Sequence, residues 1–120
     1  MAHQIGWFDV PVSDLRRACD FYDAVLSVKT EMHEGGVAVA VFPHGPGDVA
    51  GCLVQSEGFV PSGQGPLLYF TVEGRLGAAV AEVEPNGGQV LEPAQPIPPY
   101  GNRAVVLDSE GNRIALFSGS

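Results

Sequence analysis

IGWFDVPVSDLRRACDFYDAVL, residues Ile5 to Leu26, reads as a strand, a short turn and an amphipathic helix. Alternation along the strand sends Gly6, Phe8, Val10 and Val12 to one face and Ile5, Trp7, Asp9 and Pro11 to the other. The first face is apolar and suits packing on a helix. The second mixes an aromatic ring, a carboxylate and a proline, an odd set for a plain core face. Ser13 or Asp14 can cap the helix, because a short side-chain oxygen accepts from the free N–H groups of its first turn. Leu15, Ala18, Phe21, Tyr22, Val25 and Leu26 recur at helical spacing and form the stripe that covers Phe8, Val10 and Val12. Trp7 and Asp9 are left to line something else.

A chain of 120 residues is one domain's worth, or two small half-domains sharing a core. At 45% hydrophobic and 17% charged it has the balance of a soluble globule, and its 16 glycines and 10 prolines imply many turns and short strands. No apolar run approaches the roughly 18 residues of a membrane helix, and a membrane partner is not expected. The first residues lack the basic and apolar regions of a signal peptide, so a cytoplasmic location is expected. The two cysteines, Cys19 and Cys52, make no disulfide framework and read as reduced. Six basic against 14 acidic residues give a net charge of −8, which argues against nucleic-acid binding, since phosphate contacts need clustered Lys and Arg. An acidic surface serves solubility; it can also attract a cationic small molecule.

Beyond the first helix, Ser27 to Glu34 can start an extended segment, Val37 to Phe42 (VAVAVF) is a β-branched strand, and Val49 to Val54 (VAGCLV) is another, with Gly51 permitting a bulge or a close approach. Gln55 to Pro66 is a Gly/Ser/Pro loop. The pattern then restarts. Leu67 to Val72 is a strand, and Gly74 to Glu84 is helical, with Leu76, Ala79, Val80 and Val83 on one face. Asn86-Gly87-Gly88 stops that helix. Gln89 to Glu92 is a short strand, and Pro93 to Asn102 is too proline-rich for a central strand and reads as an ordered loop. Arg103 to Asp108 and Arg113 to Ser118 form a hairpin. The strand–helix units beginning at Trp7 and Leu67 are about 60 residues apart, so each half reads β-α-β-β-β, and pairing the halves buries what either alone would expose.

With this repeat, the chain resembles the glyoxalase/bleomycin-resistance proteins of the vicinal oxygen chelate superfamily. The carriers are Asp9 to Leu15 (DVPVSDL), Asp20-Phe21-Tyr22, Asn86-Gly87-Gly88 and the closing hairpin Asp108 to Arg113 (DSEGNR). The resemblance implies an α+β fold: two βαβββ modules, about 1–58 and 65–118, forming one domain with a curved mixed sheet around a cavity. It implies a homodimer, since small members often complete the cavity or cover sheet edges between chains. Metal-dependent members hold Zn, Ni, Fe or Mn with His, Gln or Glu at four strand positions. Carried over, those positions fall on Trp7, roughly Val39, Leu67 and Ala115, none a metal ligand, so no cofactor is expected. His3, His33 and His44 have no ligand spacing and read as surface or loop residues.

Asp9 stands out. On a cavity face it is an anchor for a cationic or hydroxylated ligand, or a general base; the alternative is a structural pair with Arg103 or Arg113. Trp7 is a flat wall that stacks on a ligand or fills the space a metal takes elsewhere. Tyr69 and Thr71 share a strand face, and Phe117 shares one with Ala115; these join the expected lining, with Phe42 and Phe59 as rim. Tyr100 and the prolines before it can act as a lid or a rigid connector. Arg103 and Arg113 can bind an anion or remain solvated. The expected function is metal-independent binding of a small organic molecule, with drug sequestration as one version. The alternative is a glyoxalase-like lyase or isomerase using a divalent metal or Asp9 as acid and base.

Overall fold

The structure is a computed structural model that describes residues 3–33 and 35–119. The first module runs β1 (Trp7–Pro11), α1 (Leu15–Leu26), β2 (Glu31–His33), β3 (Ala38–Val41) and β4 (Ala50–Gln55). The second runs β5 (Leu68–Thr71), α2 (Leu76–Val83), β6 (Gln89–Pro96), β7 (Asn102–Leu107) and β8 (Arg113–Ser118). The fold is α+β and consists of two βαβββ modules. Its strands form two four-stranded sheets, ordered β1-β4-β3-β2 and β5-β8-β7-β6, so the expected curved sheet comes in two halves. In each, the first strand lies parallel to the last and the remaining pairs are antiparallel.

Register explains the core. Val10, Leu53 and Ala40 face one another across β1, β4 and β3; Phe70, Leu116 and Ala104 do so across β5, β8 and β7. Both rows are buried, and Val10, Ala40, Leu53, Phe70 and Leu116 belong, with the inner faces of α1 and α2, to a core shared by the two modules. Phe8, Phe42, Phe70 and Tyr22 meet within it at ring-centroid separations of 5.4–5.8 Å. Each such side chain contributes about 1.5–3 kcal/mol by leaving water. Gly51 supplies the close approach its sequence position permitted: a Cβ there would stand 2.5 Å from the Phe8 ring. Gly88 lets the end of α2 slide under its neighbours, since a Cβ would meet the Leu107 carbonyl at 2.5 Å and Phe21 at 2.6 Å.

Asp14 caps α1, accepting from the Arg17 backbone N–H at 3.1 Å. The cap is joined to the other module. Glu110, in the β7–β8 turn, accepts from the backbone N–H groups of Ser13 and Asp14, both at 2.9 Å, and from the Arg17 guanidinium at 2.7 and 2.9 Å. Burial opposes its charge, but hydrogen bonds from Arg17, Ser109, Asp14 and Ser13 outweigh it and bring the carboxyl down to about 2. In the same turn, Asp108 is buried and accepts from the Tyr22 hydroxyl at 2.6 Å, and the Asn112 amide donates to the Pro11 carbonyl at 2.7 Å.

One expectation is corrected. β6 continues through Pro96, where the sequence read a loop from Pro93. It is an edge strand whose pairing slips between Val90 and Glu92 and again between Glu92 and Gln95. An edge with bulges tolerates residues that cannot donate to the ladder. Among the described residues no helix is long and apolar enough to cross a membrane.

Candidate functional site

Alternation on β1 turns Phe8 and Val10 into the core and Trp7 and Asp9 to the outer face of the first sheet. There the Trp7 indole N–H donates to Asp9 Oδ1 at 2.9 Å. Cys52, the register partner of Asp9 on β4, donates its thiol to the same oxygen at 3.2 Å. Burial pushes the Cys52 thiol up to about 11; the hydrogen bond and charge of Asp9 add to this, and Trp7 opposes it. Cys52 is therefore protonated at neutral pH and acts as a donor, not as a nucleophile. Asp9 takes these two partners and pairs with neither Arg103 nor Arg113. Trp7 is 50% exposed and meets the His44 ring edge-on at 6.3 Å.

The outer face of the second sheet carries Tyr69 and Thr71 from β5, Phe117 from β8 and Arg103 from β7. Thr71 pairs with Phe117, and Phe117 with Arg103, so the four occupy neighbouring register positions. The Tyr69 and Phe117 rings meet edge to face at 6.2 Å. Arg103 donates from Nη1 to the Tyr69 hydroxyl, lies 5.8 Å from the Tyr69 ring centroid and holds Nη2 3.7 Å from Glu92.

The expected lining thus falls into two groups on two sheet faces, Trp7 with Asp9 and Tyr69 with Thr71 and Phe117. Tyr100 stands apart in the β6–β7 turn, 72% exposed. Two open cavities lie where β1 and β5 approach. One, of about 390 Å³, is lined by Asp9, Pro11, Phe59 and Ile114 among others. The second, of about 570 Å³, is more apolar and is lined by Ile5, Phe42, Val49, Tyr69 and Thr71 among others. Phe8 and Leu68 line both cavities; Trp7, Phe117 and Tyr100 line neither. Sequence reasoning missed the contribution of Cys52 and of Leu68. The Cys52–Asp9 pairing needed the β1–β4 register, which no short-range pattern encodes.

Trp7, Val39, Leu67 and Ala115 offer no donor to a divalent ion. Among the described residues no three His, Cys, Asp or Glu side chains stand together as a metal site. His33 pairs with Glu31 at 3.2 Å, and His44 Nδ1 lies 3.0 Å from the Phe42 carbonyl oxygen. At those four strand positions the side chains do not fit the divalent metal that the family resemblance implies.

Comparison with family models matches residues 4–116 to the Glyoxalase/Bleomycin resistance protein/Dioxygenase superfamily. Among solved structures, TnmS3, an antibiotic binding protein from Streptomyces sp. CB03234, is 26% identical with a TM-score of 0.74, over 100% of this chain and 98% of that one. A glyoxalase/bleomycin resistance protein from Albidiferax ferrireducens T118 is 20% identical with a TM-score of 0.75, over 97% and 98% of the two chains. A glyoxylase/bleomycin resistance protein/dioxygenase domain from Frankia sp. EAN1pec is 20% identical with a TM-score of 0.74, over 100% of both chains. Comparison with curated protein sequences gives no match.

Proposed function

Because the chain belongs to the Glyoxalase/Bleomycin resistance protein/Dioxygenase superfamily, we propose that it is a metal-independent binder of a small, partly apolar organic molecule. The observation that carries this reading is the Asp9 carboxylate. It is held by Trp7 and Cys52 through Oδ1 on an exposed sheet face, beside strand positions that carry no metal donor. Two fixed donors orient the carboxylate, and Oδ2 remains for a cationic or hydroxylated group. Trp7 beside it is a flat apolar wall, and the net charge of −8 favours a cation in the surrounding field. Resemblance to an antibiotic binding protein over the full chain supports sequestration as the biological role.

The functional unit in this reading is a homodimer in the cytoplasm. The outer face with Trp7 and Asp9 of one chain lies against the partner's outer face, which presents Tyr69, Thr71 and Phe117. That pairing unites the two groups that one chain keeps apart, covers exposed aromatic surface and leaves a ligand between them. Tyr100 closes the edge of the cleft.

Thermal melting of metal-free protein against a panel of planar aromatic cations tests the reading. A binder of the native state raises Tm with concentration, and Asp9→Asn removes most of that rise. No shift with any compound, or stoichiometric uptake of Ni, Zn, Mn or Fe on challenge, contradicts it. Light scattering tests the dimer, which predicts about twice the mass of the 12.6 kDa chain.

A further inference from the structure

Arg103 is one of only six basic residues in a chain with a net charge of −8, and it sits on a sheet face among aromatic rings. It is partly buried, its side chain 27% exposed. The Tyr69 hydroxyl accepts from it, and the Tyr69 ring lies under the guanidinium at 5.8 Å. Its other neighbour, Glu92, lies 3.7 Å from Nη2 and is 47% exposed, a loose and half-solvated pair. An arginine has five N–H donors, and these contacts leave several of them free. Because the Tyr69 oxygen accepts from Arg103, its own hydrogen is free to donate outward. Thr71 and Phe117 occupy neighbouring register positions, one adding a hydroxyl and the other an apolar wall.

From this cluster we infer that Arg103 selects the ligand: with Tyr69 it receives an acidic group, a carboxylate, sulfonate or phenolate, carried on an aromatic ring. The inference rests on the small-molecule reading above and deepens it. The ring packs on Phe117 and Tyr69, the anion takes paired N–H and O–H bonds, and Glu92 competes with it for the guanidinium. With Asp9 receiving a donor from the other face, the preferred ligand is an aromatic molecule with one basic or hydroxylated end and one acidic end.

The test uses two dyes that share an aromatic frame, the anion 8-anilinonaphthalene-1-sulfonate and the neutral N-phenyl-1-naphthylamine, titrated by fluorescence at low salt against folded protein. The wild type should bind the sulfonate about tenfold more tightly than the neutral dye. Arg103→Gln should abolish that preference, Arg103→Lys keep part of it, and Glu92→Gln increase it. Arg16→Gln, an exposed arginine on α1, should leave it unchanged. Equal binding of the two dyes by the wild type overturns the inference and leaves the binding reading standing. A preference that survives Arg103→Gln, or that Arg16→Gln removes as well, overturns it in the same way. Failure of both dyes to bind overturns the inference, and the small-molecule reading is then judged separately by the planar aromatic cations.

Discussion

The two modules share a topology and differ in what they attach to it. In the first, the outer sheet face centres on a carboxylate, Asp9, fixed by the Trp7 indole and the Cys52 thiol. In the second, the corresponding face centres on a guanidinium, Arg103, laid over the Tyr69 ring. The turns between the last two strands differ as well. In the second module that turn carries Glu110, Asp108 and Asn112, all bonded to the first module. In the first, Asp48 accepts from Gly45, within its own turn. A duplicated frame thus provides one shared core, while the polar attachments are free to diverge into opposite charge on the faces and unequal bracing at the turns.

The largest effects concern what the modules share. Leu53 and Leu116 are both fully buried, one in each half of the core. Leu53→Ala and Leu116→Ala should each cost about 2–5 kcal/mol. Both variants should melt in a single transition by calorimetry and circular dichroism. Two separate transitions would break the account of one core.

The next contrast is between the turns. Glu110→Ala should cost about 2–3 kcal/mol, because it removes the acceptor of the Ser13 and Asp14 backbone N–H groups that lead into α1 together with the Arg17 contact, whereas Asp48→Ala should cost under ~1 kcal/mol. Arg17 is half exposed, so the backbone bonds carry most of the difference. Acid sharpens the same comparison. The Glu110 carboxyl sits at about 2 in the folded chain against an ordinary value of 4.5. Its contribution is therefore fully present above about 4.5 and is lost as pH falls toward 2. Denaturant titrations at stepped pH should show Glu110→Gln less stable at neutrality and with a shallower decline across that window.

Smaller effects concern the faces. Asp9→Asn should weaken binding of a cationic aromatic compound about tenfold, roughly 1.4 kcal/mol. Thr71→Val should cost only a few-fold, since its hydroxyl has open solvent as an alternative partner. Smallest of all is a chemical readout. Cys52 should alkylate more slowly than a free thiol, because its thiol is held near 11. Asp9→Asn should speed that reaction modestly, since it removes the neighbouring charge but not the burial, the larger cause.

The architecture was legible from the residues because it rests on local periodicity. The helical stripe from Leu15 to Val25 lies in the core, and the restart at Leu67 marks the second module. β6 was misread from Pro93 onward because proline content says nothing about whether a strand lies at an edge, where those residues are tolerated. The Trp7–Asp9 contact was within reach, as two residues on one strand face. The Glu110 latch was not, since its partners lie 93 to 97 positions away. Nor does periodicity show how two modules sit together, which is why a lining drawn as one set occupies two faces.

Trp7 is the chain's one tryptophan and donates to Asp9, so its emission reports directly on the proposed site. Titration of the metal-free protein with planar aromatic cations, followed at that indole, tests the central claim most directly. The account predicts a saturable change with at least one compound, weakened about tenfold by Asp9→Asn and insensitive to added divalent metal. Emission that stays unchanged across the panel, or that responds only when metal is supplied, would contradict it.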